Sequence, residues 1–441
     1  MVLIYSHISS SRLRYICHFI FKQELGIDFE LTIDSESFKN HGGPKINYSD
    51  SIIADDEFYI QNHPLLFENE IKEQAIDCFT NNGNRAFFKT ANSGFPFDIF
   101  AASFYLLSRY EEYLPHKKDM YGRFAHENAL AYREGFLNLP LINIWLNEFA
   151  EKLKEKFPPG SLRTTFNYST GSFGQPSTFS FQPTYDIDIA YSYKHKGLLR
   201  NIGGFLRSPS SERIKVLTGA AKDPFDCYDW LHDLHKQYQL DPVYFFLVAE
   251  KNGEFDKNIL PHNDAMWQLV KKHAALYEIG IHPSWQSFEK PAVLKNEMEW
   301  LGEMSGIEYI TASRQHYIRF SLPQTFRLLI EAGTQEEYSM GYGSINGFRA
   351  SVASSFFWYD LEKERETSLN IHPFCFMDAN AHYEQKQNAA QTFEELMHYY
   401  KICKTVNGTL ITIWHNNFLG TAKEFAGWKE IYEQFIAQVQ Q

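Results

Sequence analysis

Residues 242–248, Pro-Val-Tyr-Phe-Phe-Leu-Val, are apolar without interruption. A strand with one wet face alternates apolar and polar residues. An unbroken run of strand length therefore reads as a strand covered on both faces, as in a parallel sheet flanked by helices. Further strands are expected at 184–188, at 279–282, at the start of 309–320, at 369–376 and at 409–414. Between them lie amphipathic stretches of helical length, at 226–238, 264–277, 290–304, 324–332, 392–406 and 424–439. Residues 193–213 are basic and contain glycines, and read as a loop and helix over one end of the domain. Strands alternating with helices point to an α/β domain with a parallel sheet.

The chain has 441 residues, too many for one ordinary core, and two or more domains are expected. The first half begins with a strand at 2–5 and a helix at 10–25 that starts in a serine-rich cap. Strands are expected at 29–33, 51–54 and 58–61, and helices at 97–113 and 141–157. Pro158, Pro159 and Gly160 then break the pattern. The division expected is a smaller α/β domain over 1–165, a linker over 166–181 and a second domain over 182–441. The first domain carries no chemical signature. Ligand recognition, homo-oligomer formation or cover for the second domain are the roles open to it. Its cluster Arg109, Glu111 and Glu112 is expected to be a solvated or inter-domain salt-bridge patch.

Net charge is −12 with no run of lysine or arginine, which argues against nucleic acid and against anionic membrane surfaces as partners. No apolar run reaches about 18 residues, so no membrane insertion is expected. The five cysteines are scattered with no Cys-x-x-Cys, as in a reducing compartment. The N-terminus does not read as a signal peptide. A cytoplasmic location is expected.

Polar residues follow the apolar strands. Asp186 and Asp188 close the run at 184–188, and being two apart they share a face. His282 follows 279–281, Arg314 and His316 lie in the next strand region, and His415 and Asn416 follow 409–414. In a β/α barrel such positions meet at one mouth, where the chemistry is kept. Taken singly each has a plain structural reading, the aspartates as turn caps and the histidines as hydrogen-bonded strand ends.

Their order is more specific. Thr-Tyr-Asp-Ile-Asp at 184–188, Pro-Val-Tyr-Phe-Phe-Leu-Val-Ala at 242–249, Glu-Ile-Gly-Ile-His at 278–282, Tyr-Ile-Arg-Phe-Ser-Leu-Pro at 317–323 and Leu-Ile-Thr-Ile-Trp-His at 410–415 follow one another as in a known family. Residues 180–420 resemble a divergent member of the polysaccharide deacetylase superfamily, carbohydrate esterase family 4. The first half resembles the extra N-terminal region of a little-studied subgroup. The resemblance implies a deformed (β/α) barrel of about seven strands in the C-terminal half.

It also implies a divalent metal, with zinc expected, held by Asp188 and His282. The family's second histidine, one turn later, is replaced by Gln286. The third ligand is then His316, with Ser284 or Gln286 acting through water, or Gln286 directly, as alternatives. Asp186 would be the general base and His415 the general acid. The arginine beside Asp186 would be Arg319 by motif or Arg314 by strand parity. Trp285, Trp358, Trp414 and Tyr342 are candidates to pack on a sugar, Arg349 to hold an anionic group, and Asn416 to contact substrate. Asp378 is a further acidic candidate. The reaction implied is removal of an N-acetyl group from a sugar or glycan. The alternatives are hydrolysis of a non-sugar amide, or an inactive glycan-binding module on the same scaffold.

Overall fold

The computed structural model describes residues 1–157, 162, 178–207 and 210–440, so most of the expected linker lies outside the described residues. The first half is built on a parallel sheet of β1 (Val2–Tyr5), β2 (Phe29–Thr32), β3 (Lys45–Ser49) and β4 (Phe58–Gln61), in the order β2-β1-β3-β4. The strand expected at 51–54 is not formed. Those residues are a loop, where the Glu57 carboxylate accepts from the N–H groups of Ile53 and Ala54, and the fully buried β3 precedes it. Ser10 caps the first helix by accepting from the Leu13 N–H, and the helix runs from Ser11 to Glu24, its second half with wider π-type turns. A hairpin of β5 (Phe79–Asn81) and β6 (Asn84–Ala86) follows.

The helix expected over 97–113 is shorter. Asp98 accepts from the N–H groups of Phe100 and Ala101 and starts it, and it spans Ile99–Leu107. Arg109 takes a left-handed conformation, φ 55°, which no helix interior accommodates. A short 3₁₀ turn, Tyr110–Tyr113, follows. The helix Leu141–Lys156 closes this half.

Among its described residues the second half carries nine strands: β7 (Ser180–Ile187), β8 (Val243–Phe246), β9 (Glu278–Ile281), β10 (Ala312–Ser313), β11 (Glu336–Glu337), β12 (Phe356–Asp360), β13 (Arg365–Ile371), β14 (Phe376–Met377) and β15 (Thr409–His415). Their order is β12-β13-β11-β10-β9-β8-β7-β15-β14. All neighbours are parallel except β12, which pairs antiparallel with β13 and has no counterpart in the sequence reading. β8 is buried throughout, as its apolar run requires. β13 lies beside β11 and β14 beside β15, so one stretch of chain, 365–377, carries both ends of the parallel run. Among the described residues no ladder joins β14 to β12. The hydrogen bonding is that of a large mixed sheet, which is the part of the expected deformed barrel that the strand pairing supports.

One apolar core runs through both halves. The cluster at Arg109 is buried, not solvated, and it joins the halves. Glu112 Oε1 accepts from Arg109 Nε at 2.7 Å and from Arg349 Nε at 2.8 Å, and its Oε2 accepts from Arg349 Nη2 at 2.6 Å. Arg109 also donates to the Arg349 carbonyl. Arg12 pairs with Glu364, and Tyr15 donates to the Phe357 carbonyl at 2.7 Å.

Burial opposes the charge of Glu112, but Arg349 and Arg109 outweigh it and hold the carboxyl down at about 2. Removing this carboxylate leaves the buried Arg349 without its ion-pair partner and Arg109 with Glu111 alone, 3.0 Å from its Nη2. We expect Glu112→Ala to lower stability by about 3–5 kcal/mol in urea unfolding at neutral pH. The folded pKa lies below the unfolded value of about 4.3. The wild-type advantage over Glu112→Gln is therefore full above that value and disappears as pH falls toward 2.

Candidate metal centre

The C-terminal ends of β7, β15, β9 and β10 are brought level by their pairing. Asp186 lies opposite His415 and Phe245, and Ile281 opposite Ser313. The residues at or just after these ends therefore converge. Asp188, His282 and His316 place one ligand atom each within 4.8 Å of one another.

All three histidines near Asp188 are held the same way. His282 Nδ1 lies 2.6 Å from the Arg314 carbonyl, His316 Nδ1 lies 3.1 Å from Asp256 Oδ1, and His415 Nδ1 lies 2.6 Å from Asp378 Oδ1. Each acceptor fixes the proton on Nδ1 and turns Nε2 toward the centre. The Nε2 atoms stand 3.1 Å, 3.4 Å and 3.5 Å from the Asp188 carboxylate, for His282, His316 and His415 respectively.

The carboxylate Oδ1 of Asp188, although buried, accepts no hydrogen bond. A buried carboxylate oxygen without a donor beside His282 Nε2, on a carboxylate whose other oxygen faces His316 Nε2, with both imidazoles committed at Nδ1, is a donor set that fits a divalent cation. Burial disfavours the charge on Asp188, but His316, His282 and His415 hold its carboxyl well below the usual range. Burial likewise opposes a charged His316, and Asp188 and Asp256 outweigh it, pushing its pKa up to about 9.

Asp186 is buried beside this group. Its Oδ1 accepts from Arg314 Nη1 at 2.9 Å, and its Oδ2 lies 3.9 Å from His282 Nε2. Arg314 also donates to the Thr184 hydroxyl at 2.7 Å and to the Tyr338 carbonyl at 3.1 Å, and its guanidinium lies 4.4 Å from the Phe245 ring centroid. The arginine facing Asp186 is therefore Arg314. Arg319 lies past a turn in which Tyr317 and Ile318 have positive φ, and its guanidinium stacks 3.8 Å and 3.9 Å from the rings of Trp285 and Phe288.

A cavity of about 390 Å³ opens over the centre. Tyr317, Phe255 and Lys257 line it, together with Tyr383 and Phe418, and the first half adds Tyr121 and Arg123. Several residues expected to contact substrate lie elsewhere. Trp414 alternates with His415 along β15 and so faces the other way, packing on Tyr432 at 4.6 Å. Trp358 is buried in β12 against Phe326. Asn416 donates to the carbonyls of Ile189 and Phe225 at 3.1 Å and 3.0 Å. Arg349 is taken up by Glu112, and Tyr342 is buried 3.4 Å from Arg109 Nη2. Trp285 stands one layer back, stacked on Phe255 at 4.0 Å.

Gln286 is not at the centre either. Its amide donates to Asp256 Oδ2 at 3.0 Å and so orients the carboxylate that orients His316. Asp256 had no sequence signal, since it sits in a polar loop with no strand end to mark it. Asp378 follows β14 and did carry the strand-end signal.

Residues 2–158 match a model described as a family of unknown function (DUF7033). Among solved structures the chain is similar to three from different sources. A putative polysaccharide deacetylase from Mycobacterium smegmatis is 14% identical, over 60% of this chain and 84% of that one, with a TM-score of 0.40. The Xyl-CE4 domain of a multidomain xylanase from the hindgut metagenome of Trinervitermes trinervoides is 10% identical, over 59% and 82%, with a TM-score of 0.28. IcaB from Ammonifex degensii is 13% identical, over 38% and 86%, with a TM-score of 0.23. No curated protein matches the chain.

The orienting role of Asp256 is open to measurement. Asp256→Asn is expected to weaken divalent-metal binding by about 10–100-fold, read by competition with a chromophoric chelator, while the fold is retained.

Proposed function

We propose that the protein is a metal-dependent hydrolase that removes an acyl group, an N-acetyl on a sugar or glycan, from an amide nitrogen. The observation that carries this reading is the division of labour around one carboxylate. Asp188, His282 and His316 form a ligand set, and Asp186 and His415 flank it, each tied to a partner of opposite charge. Two histidines and a carboxylate with an open side facing the cavity suit zinc. Asp188, His282 and His316 would hold a divalent metal, which would supply polarisation of an acyl carbonyl and a lowered pKa for a bound water.

The remaining work falls to this chain's own side chains. Asp186, with Oδ1 held by Arg314, has Oδ2 turned toward the centre and takes the proton of the attacking water as general base. His415 is the general acid. Burial opposes its charge, but Asp378 and Asp188 outweigh it and push its pKa up to about 10. It is therefore protonated at neutral pH, with Nε2 directed at the cavity and Nδ1–H held by Asp378. That proton goes to the leaving amine as the C–N bond breaks. Tyr121, Tyr317 and Phe255 offer aromatic faces to a sugar ring, and Asn417 a polar edge.

Elemental analysis of the purified chain is expected to find one tightly bound divalent ion, lost in His282→Ala. The metal-loaded wild type is expected to release acetate from N-acetylglucosamine oligosaccharides. Asp186→Asn should keep the metal and lower turnover by about 10²–10⁴-fold. Metal binding without acetate release from any acylated saccharide would assign the chain to non-catalytic glycan binding. Equal turnover by Asp186→Asn would remove this aspartate from the mechanism.

A further inference from the structure

We propose that the excursion between residues 191 and 223 docks the protein on an anionic lipid surface, with the cavity mouth beside it. Net charge is −12 for the whole chain, yet this stretch holds seven lysines and arginines against two acidic residues. Its two helices, Leu198–Arg207 and Ser211–Leu217, also expose large apolar side chains. Ile202 is 47%, Leu206 77%, Ile214 50% and Leu217 48% exposed. Ile202 and Leu206 are four apart and Ile214 and Leu217 three apart, so each helix presents its pair on one face. The helices are held together. Arg213 Nη1 donates to the Asn201 carbonyl at 3.1 Å, and the missing side chain of Gly204 makes room for its guanidinium.

Apolar residues on one helix face among basic ones are the signature of a helix that lies in a membrane interface. Such a helix need not span: no helix among the described residues is long and apolar enough to cross a membrane. Charge complementarity selects the occupant, because anionic headgroups attract a local basic surface whatever the sign of the rest of the chain.

The excursion is pinned at the centre. It leaves β7 directly after Asp188, and both of its feet are tied down. The buried Asp223 carboxylate accepts from the N–H groups of Ser192, Tyr193 and Lys194 at 2.7 Å, 2.8 Å and 3.0 Å. Asn258 joins the Ile187 carbonyl to the Ala190 N–H. Ile189, in the same foot, lines the cavity. A bilayer under these helices therefore lies next to the mouth. Together with the hydrolase reading, on which this clause rests, the substrate class becomes an acylated saccharide carried on a lipid.

Co-sedimentation of the full chain with vesicles tests the docking without any need for turnover. The wild type is expected to pellet with vesicles of phosphatidylcholine mixed with phosphatidylglycerol, to stay in solution with phosphatidylcholine alone, and to be released by salt. Leu206→Glu combined with Ile214→Glu is expected to weaken binding about tenfold or more, with unchanged thermal unfolding and metal content. Ile33→Glu, at an exposed apolar residue of the first half, is expected to leave binding intact. Absence of the wild type from the anionic pellet, or equal binding by the double variant, overturns the proposal. So does a dimer in sedimentation velocity that the double variant dissolves, since the face would then belong to a second copy. Failure of vesicle binding leaves the hydrolase reading standing, and failure of acetate release leaves the docking standing.

Discussion

Three imidazoles directed at one carboxylate are the arrangement on which the site depends. Asp188 takes the convergence of His282, His316 and His415 at 3.1–3.5 Å, with one of its oxygens unbonded. With the Nδ1 protons fixed by the Arg314 carbonyl, Asp256 and Asp378, a neutral imidazole turns a lone pair toward a negative oxygen. The arrangement is relieved either by protonating the rings or by a cation among them. The high pKa of His316 is the first solution, and a bound metal is the second. The protein invests in orientation: two of the three histidines have their own buried carboxylate.

Arg314 makes the second aspartate different from the first. It is fully buried and reaches from the end of β10 to Thr184 and Asp186 on β7 and to the Tyr338 carbonyl beyond β11. A buried guanidinium of this kind is expensive to desolvate and must be matched. Asp186 matches it, with Phe245 covering one face. The pairing occupies one oxygen of Asp186 and leaves the other toward the centre. Two aspartates two residues apart thus receive unlike surroundings, one faced by imidazoles and one by an arginine. Unlike surroundings are what allow paired carboxylates to do different work.

The parallel arrangement and the strand-end residues were legible because strands buried on both faces must be written as apolar runs, and the first polar residue after each run marks its end. Asp186, Asp188, His282, Arg314 and His415 all sit at such ends. Strand parity also separates His415 from Trp414, although an aromatic beside a site residue draws attention on chemical grounds alone. Arg319 failed as a partner for Asp186 because the positive φ of Tyr317 and Ile318 turns the chain away after His316. Asp256 was illegible for a different reason. Its position is set by a loop that Trp285 N–H and Gln286 bind from the segment after the neighbouring strand, and no local pattern encodes such a contact. The strand β12 has an apolar run, Phe-Phe-Trp-Tyr at 356–359, but it returns directly into its antiparallel neighbour β13 with no helix between them, and so falls outside the alternation of strands and helices.

The first half is part of the frame of the site and not an appendage to it. Arg123, whose Nε pairs with Asp119 at 2.6 Å, sends Nη1 to the Tyr317 carbonyl at 2.8 Å, one residue beyond His316. Gly343 leaves room for this contact, since a Cβ there would lie 2.8 Å from the Tyr317 carbonyl oxygen and 1.9 Å from Arg123 Nη1. Tyr121 packs on Tyr317 with ring centroids 5.3 Å apart and closes the same wall of the cavity. Behind them the Arg109, Glu112 and Arg349 cluster locks the halves, because the buried Arg349 of the second half finds its carboxylate in Glu112 of the first. Separating the halves would expose a continuous apolar core and leave Arg349 without its carboxylate. The turn that carries His316 is therefore held from outside the parallel sheet, and the first 157 residues bear directly on the geometry of a centre to which they contribute no ligand.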